Sequence, residues 1–241
     1  MTMEPPPPPP PAAPPPPPPS GGWSVPPTSA AERVQWAAAR RAQSDYVFEG
    51  PGLNIFLTLI TCGIFGLYLF YQLMRRDQDH LRRRYDLFDA ANTYAWEQAN
   101  AAGLTDELRP AFERNAQHLE VMRRQTTEFR DPGIWTLIAL LSGIGYFFGF
   151  VFIDQDLDTH DRTEGALEDE LTTIYARLGK TLPRPDPSRV KGKQNYPARI
   201  IVTIVTCGVY FYWWLYDMQV EGNAHVVGSW PLEDALVLAV S

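Results

Sequence analysis

Three long apolar segments without a charged residue constrain this chain more than any other feature of its sequence. They are Leu53–Met74, Ile134–Ile153 and Ile200–Tyr216. As straight α-helices with a rise of about 1.5 Å per residue, they would be roughly 33, 30 and 26 Å long, and the hydrocarbon core of a bilayer is about 30 Å thick. Apolar runs that form ordinary buried core helices are usually shorter. The sequence therefore predicts an all-α protein embedded in a membrane.

The three segments belong to copies of one repeated unit. When Gly63, Gly143 and Gly208 are set in register, a proline stands 11 or 12 residues before each glycine, and a histidine, a leucine and an aspartate stand 17, 24 and 26 residues after it. The chain has only 4 histidines, so three of them in one register make coincidence a poor account. The residues in register are Pro51, Pro132 and Pro197; His80, His160 and His225; Leu87, Leu167 and Leu232; and Asp89, Asp169 and Asp234.

Two of the copies also share a threonine and a cysteine before the marker glycine. The stretches T-C-G-I-F-G-L-Y-L-F-Y, from Thr61, and T-C-G-V-Y-F-Y-W-W-L-Y, from Thr206, resemble the T-x-G-I-Y-x-x-Y-W-x-Y signature of a bacterial membrane family of unknown function. The second copy departs from it and reads L-S-G-I-G-Y-F-F-G-F around Gly143. The resemblance implies a membrane location and supplies no activity and no catalytic residues. The repeat signature comprises Thr61, Cys62, Gly63, Gly143, Thr206, Cys207 and Gly208.

Two topologies are compatible with each unit: a single transmembrane helix or a re-entrant hairpin that bends at its central glycine. Aromatic residues crowd the half of each segment after the glycine, whereas a spanning helix usually carries them at both ends. Residues 75–131 contain ten arginines and residues 154–199 contain eight Lys and Arg, so both loops favour the cytosolic side. The hairpin satisfies that preference, and the threonines can bond to backbone carbonyls where the glycine loosens the helix.

The rest of the chain is divided by composition. Residues 1–28 are rich in proline and are predicted to be a disordered cytosolic tail, in which residues 5–19 offer a ligand to a polyproline-binding protein. A short juxtamembrane helix is expected over residues 29–50. The repeats with their linkers then occupy residues 51–131, 132–196 and 197–241, the third copy being cut short.

The polar stretches between the membrane segments are predicted to form amphipathic surface helices. One covers Arg75–Ala101, and another begins near Thr105 after the break at Gly103. The latter has an apolar stripe of Leu108, Phe112, Leu119 and Met122. A shorter candidate covers Asp161–Leu178.

The three repeat histidines are the sharpest candidate for chemistry. His80, His160 and His225 each follow an apolar segment, and three imidazoles can ligate zinc and leave a fourth position open. The alternative is that each histidine orients the start of a surface helix. Metal-binding motifs within one segment are missing, as are a nucleophile elbow, a phosphate loop and a dinucleotide fingerprint. Cys62 and Cys207 are explained most simply as small residues beside a tight glycine.

These observations predict a non-enzymatic integral membrane protein of structural, scaffold or interaction type. The alternative function is a membrane protein that binds a metal or a small ligand through one histidine from each repeat. We expect no cofactor unless these histidines bind a metal ion. The expected location is the bacterial cytoplasmic membrane with a cytosolic N-terminus, and the expected partners are the bilayer, a polyproline-binding protein and further copies of the chain. A net charge of −7 without a basic, aromatic-rich cluster argues against nucleic acid.

Overall fold

The described part of the chain folds entirely into helices. The computed structural model describes residues 26–127, 131–184 and 195–241, and these contain no strand. The predicted all-α class is therefore confirmed, whereas the polyproline residues 5–19 lie outside the described residues. The helices are α1 (Ala30–Ala39), α2 (Arg41–Ser44), α3 (Pro51–Ile60), α4 (Ile64–Ala101), α5 (Thr105–Thr127), α6 (Pro132–Ser142), α7 (Ile144–Arg177), α8 (Tyr196–Val205) and α9 (Val209–Val240).

Each apolar segment forms two helices joined by a tight turn. Pro51 and Pro132 occupy the first position of α3 and α6, and α8 begins one residue before Pro197. Proline suits a helix start because the first N–H groups of a helix have no intrahelical partner. In the first unit α3 and α4 approach closely, since a Cβ on Gly66 would lie 2.8 Å from Thr58 Cγ2.

The turn of the first unit is built by the repeat signature. Cys62 and Gly63 both have positive φ, 51° and 91°, and this left-handed pair reverses the chain. The Thr61 hydroxyl donates to the Leu57 carbonyl at 2.7 Å and accepts from the Phe65 N–H at 3.0 Å. Thr61 thus closes one helix and caps the next, which confirms the bond from threonine to a carbonyl that the sequence predicts.

The other two units turn in related ways. Cys207 and Gly208 repeat the left-handed pair, and Thr206 bonds to the Val202 carbonyl and the Tyr210 N–H. In the second unit only Gly143 has positive φ, and the Ser142 hydroxyl accepts from the Gly145 N–H at 3.1 Å.

The single-helix alternative is therefore wrong for all three segments, because the left-handed residues interrupt each helix near its middle. No helix within residues 26–127, 131–184 and 195–241 combines the length and the apolar character needed to cross a membrane.

The predicted surface helices are corrected too. Arg75–Ala101 is the continuation of α4, and the segment predicted as Asp161–Leu178 is the end of α7, so neither is a separate helix. Both segments continue the preceding helix because neither α4 nor α7 contains a proline or a glycine with positive φ after the marker glycine. Only α5 matches its prediction, with Leu108, Phe112, Leu119 and Met122 buried.

Helices α4, α7 and α9 form a three-helix bundle with a seven-residue repeat. Counted from the marker glycines, the inward-facing layers lie at +7, +10, +14, +17, +21, +24 and +28, all buried except the half-buried Leu157 at +14, so the spacing alternates between three and four residues, as in a coiled coil. The three histidines form the +17 layer. The nearest fully apolar layers are Leu73, Ile153 and Met218 at +10, and Leu87, Leu167 and Leu232 at +24.

The aromatic halves of the hairpins lie inside this bundle. Phe150 lies at the centre of the cluster, with ring centroids 5.6 Å from Phe70, 5.0 Å from Phe211 and 5.8 Å from Trp214. Phe70, Phe150 and Trp214 are fully buried. The second arm of each hairpin is the inner one.

The first helix of each hairpin (α3, α6 and α8), the outer one, connects its repeat to a neighbouring repeat. Helix α3 packs against α9, where the Asn54 amide donates to Gln219 at 2.7 Å, and α6 packs against α4. On α8, Arg199 pairs with Asp154 of α7 at 3.6 Å. Each outer helix thus contacts the long helix of another unit, so the three repeats share one core.

We predict that Gly63→Ala lowers the free energy of unfolding by about 1–2 kcal/mol, because an L-residue is strained in the left-handed region. A Cβ at Gly63 would meet no atom within 4 Å, so the cost comes from the backbone alone. Gly52 in the same hairpin is equally open and has ordinary φ. Gly52→Ala should leave stability unchanged or raise it by up to about 1 kcal/mol. Equal effects of the two substitutions in chemical denaturation would contradict this account of the turn.

Candidate metal centre

The three repeat histidines meet at the centre of the bundle. Their ring centroids are 5.2 Å apart for His80 and His160, 5.0 Å for His80 and His225, and 5.5 Å for His160 and His225. Their exposed fractions are 2%, 0% and 7%. The heptad register causes this meeting, since the same position on three parallel helices faces the same axis.

A carboxylate completes the cluster. Glu164 lies one turn after His160 on α7 and is fully buried, and its Oε2 is 2.8 Å from His160 Nε2 and 3.5 Å from His225 Nε2. The Nε2 atoms of His80 and His225 are 3.1 Å apart. One donor atom from each of the four residues can be chosen so that all lie within 4.8 Å of one another.

Two aspartates orient two of the imidazoles from behind. Asp45 Oδ1 lies 3.0 Å from His80 Nδ1, and Asp161 Oδ1 lies 2.6 Å from His225 Nδ1. An ionised carboxylate at this position favours the tautomer with a proton on Nδ1, which leaves the Nε2 lone pair directed at the cluster. Asp45 is held by the Ser44 hydroxyl at 2.7 Å and by Arg83.

The pKa shifts agree with ionised aspartates that orient the imidazoles. Burial, opposed by Asp45, lowers the pKa of His80 to about 3, so the imidazole is neutral. Burial disfavours the charged form of Asp45 and Asp161, but the hydrogen bonds from His80 and His225 respectively, with Arg83 and Ser44 beside Asp45, outweigh it, and the pKa of each carboxyl lies below its ordinary value. The Glu164 pKa is also lowered, because Arg84 and His160 exceed the effect of burial.

Arginines separate this site from the distal apolar core. Arg84 contacts Glu164 and lies 2.9 Å from Glu168 and 3.4 Å from Glu233. Arg83 lies 2.8 Å from Glu233, which also forms an ion pair with Arg41 at 2.9 Å. The three glutamates raise the Arg84 pKa above its ordinary value despite complete burial.

Among the described residues of the cluster, negatively charged carboxylates outnumber positively charged guanidiniums. These are five buried carboxylates (Asp45, Asp161, Glu164, Glu168 and Glu233) against three guanidiniums (Arg41, Arg83 and Arg84), and Arg41 is shared with the exposed Asp234. Such an excess is costly in a medium of low dielectric constant. A divalent cation among the imidazoles would balance it.

The sequence predicted three of the four converging residues. It missed Glu164, although the spacing of four residues from His160 places both side chains on one helical face, a usable signal. It also missed Asp45, which comes from the segment after α2 and has no counterpart in the repeats. The repeat-signature residues are elsewhere, at the hairpin turns, and Cys62 and Cys207 are exposed there.

Comparison of the chain with models of protein families, with curated proteins and with solved structures finds no match.

We predict that Arg84→Met destabilises the protein by about 3–5 kcal/mol, because buried carboxylates lose their counter-charge. Arg162→Met on the neighbouring helix is a matched control, since Arg162 is 53% exposed and pairs only at the surface with Asp158. That change should cost no more than about 1 kcal/mol. Urea unfolding measures both, and a small loss for Arg84→Met would show that the cluster does not depend on this guanidinium.

Proposed function

We propose that this protein binds one zinc ion through His80, His160, Glu164 and His225, and that the ion fastens the three repeats together. The observation that carries the proposal is the convergence of four buried donor atoms, all within 4.8 Å, from three helices. Each repeat contributes at least one ligand, so the bound ion cross-links parts of the chain that are distant in sequence.

The spacing of the donors supports a tetrahedral ion. Zinc bound at about 2.0–2.1 Å requires its ligand atoms to be roughly 3.3 Å apart. Three of the six donor pairs, at 2.8, 3.1 and 3.5 Å, lie around that value, and all four donor atoms lie within 4.8 Å of one another. A cation between His80 and His225 would accept the Nε2 lone pairs of both rings, whose Nε2 atoms lie 3.1 Å apart.

Burial supports a structural role over a catalytic one. Catalytic zinc sites keep a position open for water or substrate, whereas structural sites are closed by four protein ligands. The four residues here are at most 7% exposed. Six-coordinate ions that retain water are disfavoured for the same reason. The proposal therefore keeps the protein non-enzymatic, and it favours a metal ion over a larger ligand.

We also propose that the protein resides in the bacterial cytoplasmic membrane, with its hairpins in the lipid. Support comes from the charge-free segments, which form the hairpins and keep large apolar side chains on the outside. A scaffold role for residues 5–19 remains a further proposal, as does the resemblance to the bacterial membrane family.

We predict one zinc ion per purified chain and its loss in His160→Ala, because an essential ligand is removed. His118→Ala is the matched control, since His118 lies on α5, outside the cluster. Elemental analysis of both variants measures the metal, and circular dichroism checks that each is folded. A folded wild-type protein that neither retains zinc nor gains thermal stability when zinc is added would overturn the proposal.

The second prediction concerns Asp161, which orients His225. Asp161→Asn should keep one zinc ion per chain but weaken its binding by about 10–100-fold, as is usual when a carboxylate behind a metal-bound histidine is removed. The surface residue Asp169 on the same helix provides the control. Competition with a chelating dye measures both affinities, and equal affinities of the Asp161→Asn and Asp169→Asn proteins would exclude this role for Asp161.

A further inference from the structure

The three hairpins present an extensive apolar surface at one end of the molecule. Six large apolar side chains in each hairpin are more than a third exposed, including Leu141 at 77% and Val205 at 75%. Such a surface is far larger than the scattered apolar residues of an ordinary exterior. The exposed side chains, listed by hairpin, are Leu53, Phe56, Leu59, Ile60, Ile64 and Tyr68; Ile134, Leu137, Ile138, Leu140, Leu141 and Phe148; and Ile201, Val202, Ile204, Val205, Val209 and Trp213.

We call this apolar end of the three hairpins the hairpin cap. We infer that the cap enters one leaflet of a phospholipid bilayer from the cytosolic side and ends near the bilayer mid-plane. The occupant of the apolar surface is thus the acyl chains of a single leaflet. This inference rests on the membrane location proposed above and adds the depth and the direction of insertion.

The depth follows from the length of the hairpin arms. Helices α3 and α6 have 10 and 11 residues, which corresponds to about 15 Å, half the hydrocarbon thickness, and α8 has 10 residues, of which the six after Arg199 are uncharged. The first charged residues of the inner arms are Arg75, Asp154 and Asp217, after eight to eleven uncharged residues. The polar part of the molecule therefore begins at a similar height on all three helices.

The first and third turns are suited to hydrocarbon because their backbone donors are satisfied within the protein. In the first unit the N–H groups of residues 61, 62, 63, 64 and 65 all donate to carbonyls or to the Thr61 hydroxyl. The same holds for residues 206 to 210 and the Thr206 hydroxyl. A turn exposed to water needs no such closure, whereas in lipid each unpaired N–H costs several kcal/mol.

All three hairpins insert from the same side because the three long helices of the bundle are parallel. All three long helices start at the cap and run to the opposite end, where Arg177 of α7 contacts Glu107 of α5. The described arginines and lysines of residues 75–127 and 154–184 therefore lie on one side of the cap, as the positive-inside rule requires of a cytosolic region.

The native cysteines provide a direct test, because both lie exposed at hairpin turns. The wild-type chain is reconstituted in sealed vesicles of phosphatidylethanolamine and phosphatidylglycerol and treated with a charged, membrane-impermeant maleimide. We expect no labelled thiol before detergent and two per chain after it. The variants Ala102→Cys and Ala176→Cys, both at exposed positions at the distal end, should each gain one thiol that reacts before detergent, from the same vesicle face.

Depth is measured with a fluorophore on Cys62 and lipids brominated at different positions. Quenching should be strongest for bromines near the acyl-chain terminus. Strongest quenching near the headgroup, or labelling of the turn cysteines before detergent from either face, would overturn the inference. An absence of quenching by every lipid would also overturn it, since the cap would then be covered by protein, such as a second copy of the chain.

The same samples separate this inference from the location on which it rests. Protein that leaves the vesicles in an alkaline carbonate wash contradicts the membrane location itself. Protein that stays with the vesicles but shows Ala102→Cys and Ala176→Cys on opposite faces contradicts only insertion from one side.

Discussion

The structure depends on a polar layer in a place where proteins normally put apolar side chains. Three imidazoles fill one layer of the bundle, and Arg84, Glu164 and Ser229 fill the next, whereas the nearest fully apolar layers lie at +10 and +24. Burying such groups is expensive unless each has a partner. Asp45, Asp161, Arg83 and Arg84 supply most of the partners, and a divalent ion would supply the remaining charge. The bundle is therefore specified by polar complementarity as well as by apolar packing.

The hairpin turns and the metal centre are coupled through the register of the long helices. Each inner helix starts directly after its marker glycine, so the count of 17 residues fixes both the height and the direction of the histidine. One added or deleted residue would rotate the side chain by about 100° around the helix and remove it from the axis. This explains why a glycine in a turn and a histidine far along the helix keep a constant spacing in all three copies.

The sequence revealed the elements that depend on local rules and on repetition. Pro51 and Pro132 mark helix starts, Thr61 and Gly63 mark a turn, and the repeated histidines mark a shared position. It did not reveal how the units meet, because the outer helices pack on neighbouring repeats and no local pattern encodes that exchange. Asp45 was missed for the same reason: it lies outside the repeats and reaches His80 only in the folded chain. The seven-residue period was hidden because polar residues, Arg84 and Glu164 among them, occupy positions that are usually apolar.

X-ray absorption at the zinc edge of the purified full-length protein tests the central claim most directly. A structural ion held by the three repeats predicts a first shell of three imidazole nitrogens and one oxygen at about 2.0–2.1 Å. A shell with additional water oxygens would mean that the site is open. A shell that contains sulfur, or the lack of a stoichiometric ion in folded protein, would contradict the assignment of His80, His160, Glu164 and His225 as its ligands.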